Sequence, residues 1–125
     1  MIGLLATHNH PLYYSTVNHI AHQLNYKIYV LVDTLGLSAN QLQIFHERTG
    51  GNFNDTMLGH DLVESNKLLM EKFDSHNGYE MQDYVDKNSI ELLVNIGTPR
   101  RISKQTLDCC KYGVLNIHPG QLPKY

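Results

Sequence analysis

Short, nearly unbroken apolar runs recur along the chain, at residues 2–7, 27–32, 90–96 and 114–117, and the stretches between them carry apolar residues at helical spacing. A run without polar alternation suits a strand covered on both faces, which is how strands of parallel sheets are placed. Tyr14, Val17, Ile20, Ala21 and Leu24 predict a helix over about 13–24, with Asn9 or Ser15 as possible cap donors. Ser38 is a plausible N-cap for a helix carrying Leu42, Ile44 and Phe45, which should stop before Gly50-Gly51. Tyr79, Met81, Tyr84 and Val85 mark a short helix ending near residues 87–88. Ser103 can cap another that runs to about Cys110, with Leu107 inward and Lys104 outward. Residues 68–73 are ambiguous, because a six-residue run cannot settle its own period. Residues 52–60 have the composition of an ordered loop. Strands alternating with helices predict an α/β fold. The expected form is a doubly wound, Rossmann-like and mostly parallel sheet in the order 3-2-1-4-5, with right-handed crossovers.

A chain of 125 residues supports one domain. Ten Lys and Arg against twelve Asp and Glu give a net charge of -2, so no global field favours nucleic acid or an anionic membrane. The opening apolar run has no basic leader and is too short for a signal peptide or a membrane span, so a cytoplasmic protein is expected. Cys109 and Cys110 are adjacent, a spacing that matches neither zinc nor thioredoxin-type patterns, and reduced, half-buried thiols are expected there.

Ligands of an open parallel sheet bind beyond the carboxyl ends of its strands, near the point where strand order reverses. Three segments meet that condition: 8–11, 97–102 and 118–125. The richest is the block 116–125, Asn-Ile-His-Pro-Gly-Gln-Leu-Pro-Lys-Tyr. On an extended backbone Asn116 and His118 share a face while Ile117 points into the packing. Pro119 confines His118 to extended backbone, and Gly120 permits the turn that follows. An amide and an imidazole can thus share one reacting centre.

This block closely resembles the signature of the formyltetrahydrofolate-dependent formyltransferases, which carry Asn-x-His-Pro followed by a Leu-Pro-x-Tyr loop. The resemblance extends to 93–102, an apolar strand followed by Gly97-Thr98-Pro99-Arg100-Arg101-Ile102, where the family has Gly-x-x-Arg-Ile-Leu. It implies 10-formyltetrahydrofolate as co-substrate. It also implies a cofactor pocket bordered by Gly97, Arg100, Arg101 and Ile102, whose backbone serves the pteridine, with Leu122-Pro123 as a candidate cis peptide. Arg101 stands where the family has an apolar residue, and it could equally face cofactor, an anionic substrate or water. The family layout favours a strand at 68–73. The family's third catalytic residue, an Asp, lies downstream of Tyr125. Residues 1–125 are therefore expected to be the N-terminal portion of a single catalytic domain, a formyltransferase-type sheet truncated after its fifth strand.

The reaction implied is transfer of a formyl group to a primary amine. Attack on the formyl carbon creates an oxyanion to which the Asn116 amide can donate, while His118 acts as general acid or base. Among acceptors, glycinamide ribonucleotide is disfavoured because His8-Asn9-His10-Pro11 stands where a glycine-rich phosphate cradle belongs. Methionyl-tRNA would call for a basic surface that the charge balance lacks. A nucleotide-linked amino sugar remains. The alternatives are a methionyl-tRNA formyltransferase, a formyltetrahydrofolate hydrolase and, in another class, a non-catalytic folate-binding fragment.

His8 and His10 are candidate substrate contacts. Together with His19 and His22 they could suggest a metal, but no Cys or carboxylate stands at matching spacing and no metal is expected. Tyr13 and Tyr14 could stack a base or a pteridine, though packing is the commoner fate of such rings. Asp33, Asp55, Asp61 and Asp74 are poor stand-ins for the downstream Asp, since none is expected at a strand end beside the fifth strand.

Overall fold

The computed structural model describes residues 1–11, 16–17, 19–20, 23, 27–51 and 68–117. In chain order the strands are β1 (Ile2–Thr7), β2 (Ile28–Asp33), β3 (Leu68–Phe73), β4 (Leu92–Asn95) and β5 (Val114–Asn116). The helices are α1 (Ala39–Arg48), α2 (Tyr79–Lys87) and α3 (Lys104–Asp108). Thr16, Val17, His19, Ile20 and Gln23 also have helical backbone, within the helix expected over 13–24. The strands form a five-stranded sheet in the order β3-β2-β1-β4-β5, and every pairing is parallel. This is an α/β fold compatible with a Rossmann-like arrangement.

Alternation along the central strands sends side chains to two separate cores. Leu4, Ala6, Val30 and Val32 join Val17 and Ile96 on one face. Leu5, Tyr29 and Leu31 join Met81, Val85 and Leu93 on the other. Each fully buried Leu or Val contributes about 1.5–3 kcal/mol by leaving water, so β1 and β2, buried at nearly every position, anchor the sheet.

The helix ends follow local chemistry. The Ser38 side chain accepts from the Gln41 amide while the Gln41 side chain accepts from the Ser38 amide, a reciprocal capping box that starts α1. Gly50 and Gly51, at φ 61° and 79°, end that segment in left-handed backbone. Ser103 caps α3 by accepting from the Thr106 amide.

Three expectations need correction. β5 is not a buried strand, because it lies at the sheet edge and has no second neighbour among the described residues. Leu115 and Ile117 are accordingly 57% and 51% exposed, and Ile117 does not point into the packing. β4 is shorter than the run 90–96 and only partly buried, since its outer neighbour is that short edge strand. In α3 the inward residue is Thr106, fully buried, whereas Leu107 is exposed: a five-residue helix makes little more than one turn, and that turn faces the loop after β3. The Asn9 side chain donates to the Leu37 carbonyl and accepts from the Leu37 amide, and the helix start it was expected to cap lies outside the described residues. β3 is the opposite edge, and its exposed Glu71 and Lys72 explain both its mixed sequence and its protection from further pairing. The loop at 52–60, Ser15, Tyr13 and Tyr14 lie outside the described residues. Among the described residues no helix is long and apolar enough to cross a membrane.

Candidate functional site at the carboxyl edge of the sheet

The segments that leave the carboxyl ends of β1, β2, β3 and β4 are joined by buried polar groups. Asp33 closes β2 with a fully buried side chain. Its Oδ2 accepts from Arg100 Nε at 2.6 Å and from the His76 amide at 2.8 Å, and its Oδ1 accepts from Arg100 Nη2 at 3.2 Å and from the Leu35 amide at 2.8 Å. Arg100 Nη2 also donates to the Asp74 carbonyl. Burial alone would push the Asp33 carboxyl up, but the Arg100 guanidinium and the two amides outweigh it and hold the group below the usual carboxylate range.

His76 is fully buried beside this pair. Its Nε2 lies 2.7 Å from the Leu31 carbonyl, which can only accept, so that nitrogen carries the proton. Burial lowers the ring's pKa, so His76 is neutral and its Nδ1 accepts from the Thr98 hydroxyl at 2.6 Å. Asn77 completes the lacing by accepting from the Ser103 amide and donating to the Arg101 carbonyl. The 97–103 segment is thereby held from below by both the β2 end and the loop after β3.

Gly97 is where the β1 and β4 loops meet. Its φ is 150°, and a Cβ there would lie 2.4 Å from His10 Cδ2, far inside van der Waals contact. The His10 ring lies edge-on to Phe45 with centroids 4.9 Å apart, and burial lowers its pKa to about 4. His10, Leu37, Gln41, Ile44, Phe45 and Arg48 line an open cleft of about 250 Å³ against α1.

On the far side of Gly97, β4 and β5 end side by side with Asn95 and Asn116 as register partners. Asn95 Oδ1 accepts from the Gly97 and Thr98 amides at 3.0 and 2.9 Å, and its Nδ2 donates to Asn116 Oδ1 at 2.7 Å. Asn116 is exposed, and its Nδ2 has no partner among the described residues.

The expected site residues therefore divide. Gly97 and Asn116 stand at neighbouring strand ends and are joined through Asn95. Arg100 turns its guanidinium inward to Asp33, leaving its backbone, not its charge, to a ligand. Ile102 packs against the Tyr29–Met81 core, and Arg101 is exposed with its carbonyl bound to Asn77. His8 is exposed in a turn, and His10 borders the cleft. His118, Leu122 and Pro123 lie outside the described residues. Cys109 and Cys110 are free and half-buried, and burial raises the Cys109 thiol to about 11, which keeps it protonated.

Sequence reasoning passed over Asn95 and His76, and it weighed Asp33 only as a stand-in for the downstream Asp and set it aside. Asp33 carried a signal, being the polar residue that ends the run 27–32, and Asn95 carried a weaker one as a polar residue inside the run 90–96; His76, within a polar loop, carried none. Chemically, the edge offers a primary amide of fixed orientation beside a loop whose backbone is rigidly held. No protein-family model matches the chain, and no curated protein matches it.

Proposed function

We propose that this edge serves formyl transfer from 10-formyltetrahydrofolate to a primary amine, with a nucleotide-linked amino sugar as the acceptor. The observation that carries the reading is the state of Asn116. Its oxygen accepts from Asn95, the residue that also holds the Gly97–Thr98 turn, and among the described residues its Nδ2 meets no acceptor and is left to donate. A tetrahedral formyl intermediate needs such a donor at its oxyanion, and a donor already oriented by the fold does not have to reorganise as charge develops. The backbone of 97–102, held by the Asp33–Arg100 pair and by Asn77, suits a flat heterocycle that binds through main-chain hydrogen bonds. His118 moves the amine proton in this mechanism. The cleft that His10 and Phe45 help to line lies across Gly97 and supplies apolar and aromatic surface for the remainder of the acceptor.

Transfer is tested by incubating 10-formyltetrahydrofolate and amino-sugar nucleotides with the chain, and with a form extended to include the family's Asp. Acceptors are then read by mass spectrometry. A formylated amino sugar in the extended form is the expected product. Free formate without a formylated acceptor would make the activity hydrolytic, and neither product in either form would contradict the reading.

A further inference from the structure

The two asparagines at the ends of β4 and β5 can satisfy their partners in only one orientation. The Gly97 and Thr98 amides are donors, so the Asn95 side chain must turn its oxygen to them, at 3.0 and 2.9 Å. Its Nδ2 is then directed at Asn116, 2.7 Å away, where only an oxygen can receive it. Asn116 must therefore present Oδ1 to Asn95 and turn its own Nδ2 away. Amide orientation, normally a matter of inference from surroundings, is here dictated by two backbone N–H groups.

We propose that Asn95 is a positioning residue for the transfer reaction: one side chain sets the Gly97–Thr98 turn and at the same time orients the Asn116 amide so that it donates to the reacting oxygen. The inference rests on the reading of Asn116 as the oxyanion donor. Asn95 itself touches neither substrate nor cofactor. It converts the fixed turn into a fixed direction for its neighbour, and parallel register keeps the two side chains adjacent. An exposed asparagine without that partner could present oxygen or nitrogen with equal ease, and the wrong face would set a carbonyl dipole against the developing negative charge.

The decisive variant is Asn95→Asp. A carboxylate still accepts from the Gly97 and Thr98 amides, so the turn is kept. Its second oxygen cannot donate, so Asn116 must rotate half a turn and direct its N–H at the new carboxylate instead of at the substrate. In the form that turns over, kcat should fall about 10²–10³-fold, the scale of losing one oxyanion donor, while KM for the folate stays within about threefold. Asn95→Asp combined with Asn116→Ala should be no slower than Asn116→Ala, because both act through one amide. Unchanged kcat in Asn95→Asp, or additive losses in the double variant, would overturn the proposal.

A second measurement does not depend on turnover. In the unmodified chain an NMR scalar coupling across the hydrogen bond should run from Asn95 Nδ2 to Asn116 Cγ. A coupling in the reverse direction, or a freely rotating Asn116 amide, would overturn the proposal even if no formyl transfer is found. Absence of turnover with the expected coupling would instead strike the formyl-transfer reading and leave the positioning geometry standing.

Discussion

Asp33 at the end of β2 and Arg100 beyond the end of β4 are 67 residues apart in sequence and meet in two hydrogen bonds of 2.6 and 3.2 Å, with the carboxylate fully buried. The pair crosses over β1 and fastens the 97–103 segment to the middle of the sheet. Removing one member of such a pair leaves the other uncompensated, which costs more than the intact pair contributes. Asp33→Ala should lower unfolding free energy by about 3 kcal/mol in urea titrations at neutral pH. Arg100→Lys should cost less but still be measurable, since an ammonium cannot reproduce the forked contact with both carboxylate oxygens. A stability loss under about 1 kcal/mol for Asp33→Ala would show that the clamp is dispensable.

His10 and His76 make stability depend on pH in a stated direction. Burial lowers both pKa values, to about 4 for His10. The unfolded chain therefore takes up protons first as pH falls below about 6.5. Stability is full above that value and declines between about pH 6.5 and 4, with His10 contributing about 2–3 kcal/mol of the loss. Asp33, whose pKa is also depressed, adds a further loss below the ordinary carboxylate range. Urea midpoints measured from about pH 7.5 to 4.5 should trace this decline, and His10→Gln should flatten much of it.

Much of this architecture could be read without coordinates. The apolar runs of β1 and β2 marked the centre of the sheet, and the Ser38 cap and the Gly50-Gly51 stop bounded α1, because these signals are local. Edge strands were harder. Among the described residues β3 and β5 have only one paired side, so Glu71 and Lys72 blur one pattern, and Leu115 and Ile117 present apolar side chains that a sequence reading assigns to the core. Placement at the carboxyl edge of the sheet was legible for a contiguous block such as 97–102. It was not legible where it depended on distance: nothing near Arg100 in sequence announces Asp33, and nothing in Leu92-Leu93-Val94-Asn95 says that the last residue meets Asn116. Parallel register brings those groups together, and register is a property of the assembled sheet.

Gly97 offers a sharp test of the loop crossing. Its φ of 150° and the 2.4 Å approach of His10 Cδ2 to the position of a Cβ mean that even alanine is strained and obstructed there. Gly97→Ala should destabilise the protein by about 2–3 kcal/mol. The same substitution should displace the His10 ring from Phe45, visible as a change in His10 ring shifts and as a raised His10 pKa in NMR titration. Gly113, also at positive φ but with the Leu107 carbonyl at an ordinary van der Waals distance of 3.8 Å from the position of a Cβ, should cost less when replaced by alanine because only the backbone strain applies.

The proposed recognition of folate by main chain predicts an asymmetry among substitutions in 97–102. Arg101→Ala removes an exposed side chain and should leave stability within about 0.5 kcal/mol and folate affinity within a few-fold. Arg100→Ala should weaken folate binding together with stability, because it frees the loop rather than deleting a contact. Calorimetric titration and urea unfolding of both variants would separate these effects. Loss of folate affinity in Arg100→Ala at unchanged stability would assign its guanidinium a direct contact.

The most direct test of the central claim is titration of the chain with 5-formyltetrahydrofolate, a stable isomer of the proposed co-substrate, followed through backbone and side-chain amide NMR shifts. Saturable binding is expected, with the largest shifts at Gly97, Thr98, Arg101 and Ile102 and at the side-chain amide of Asn116. Absence of saturable shifts, or shifts confined to the cleft around Phe45 with the β4 and β5 ends unmoved, would contradict a folate site at this edge.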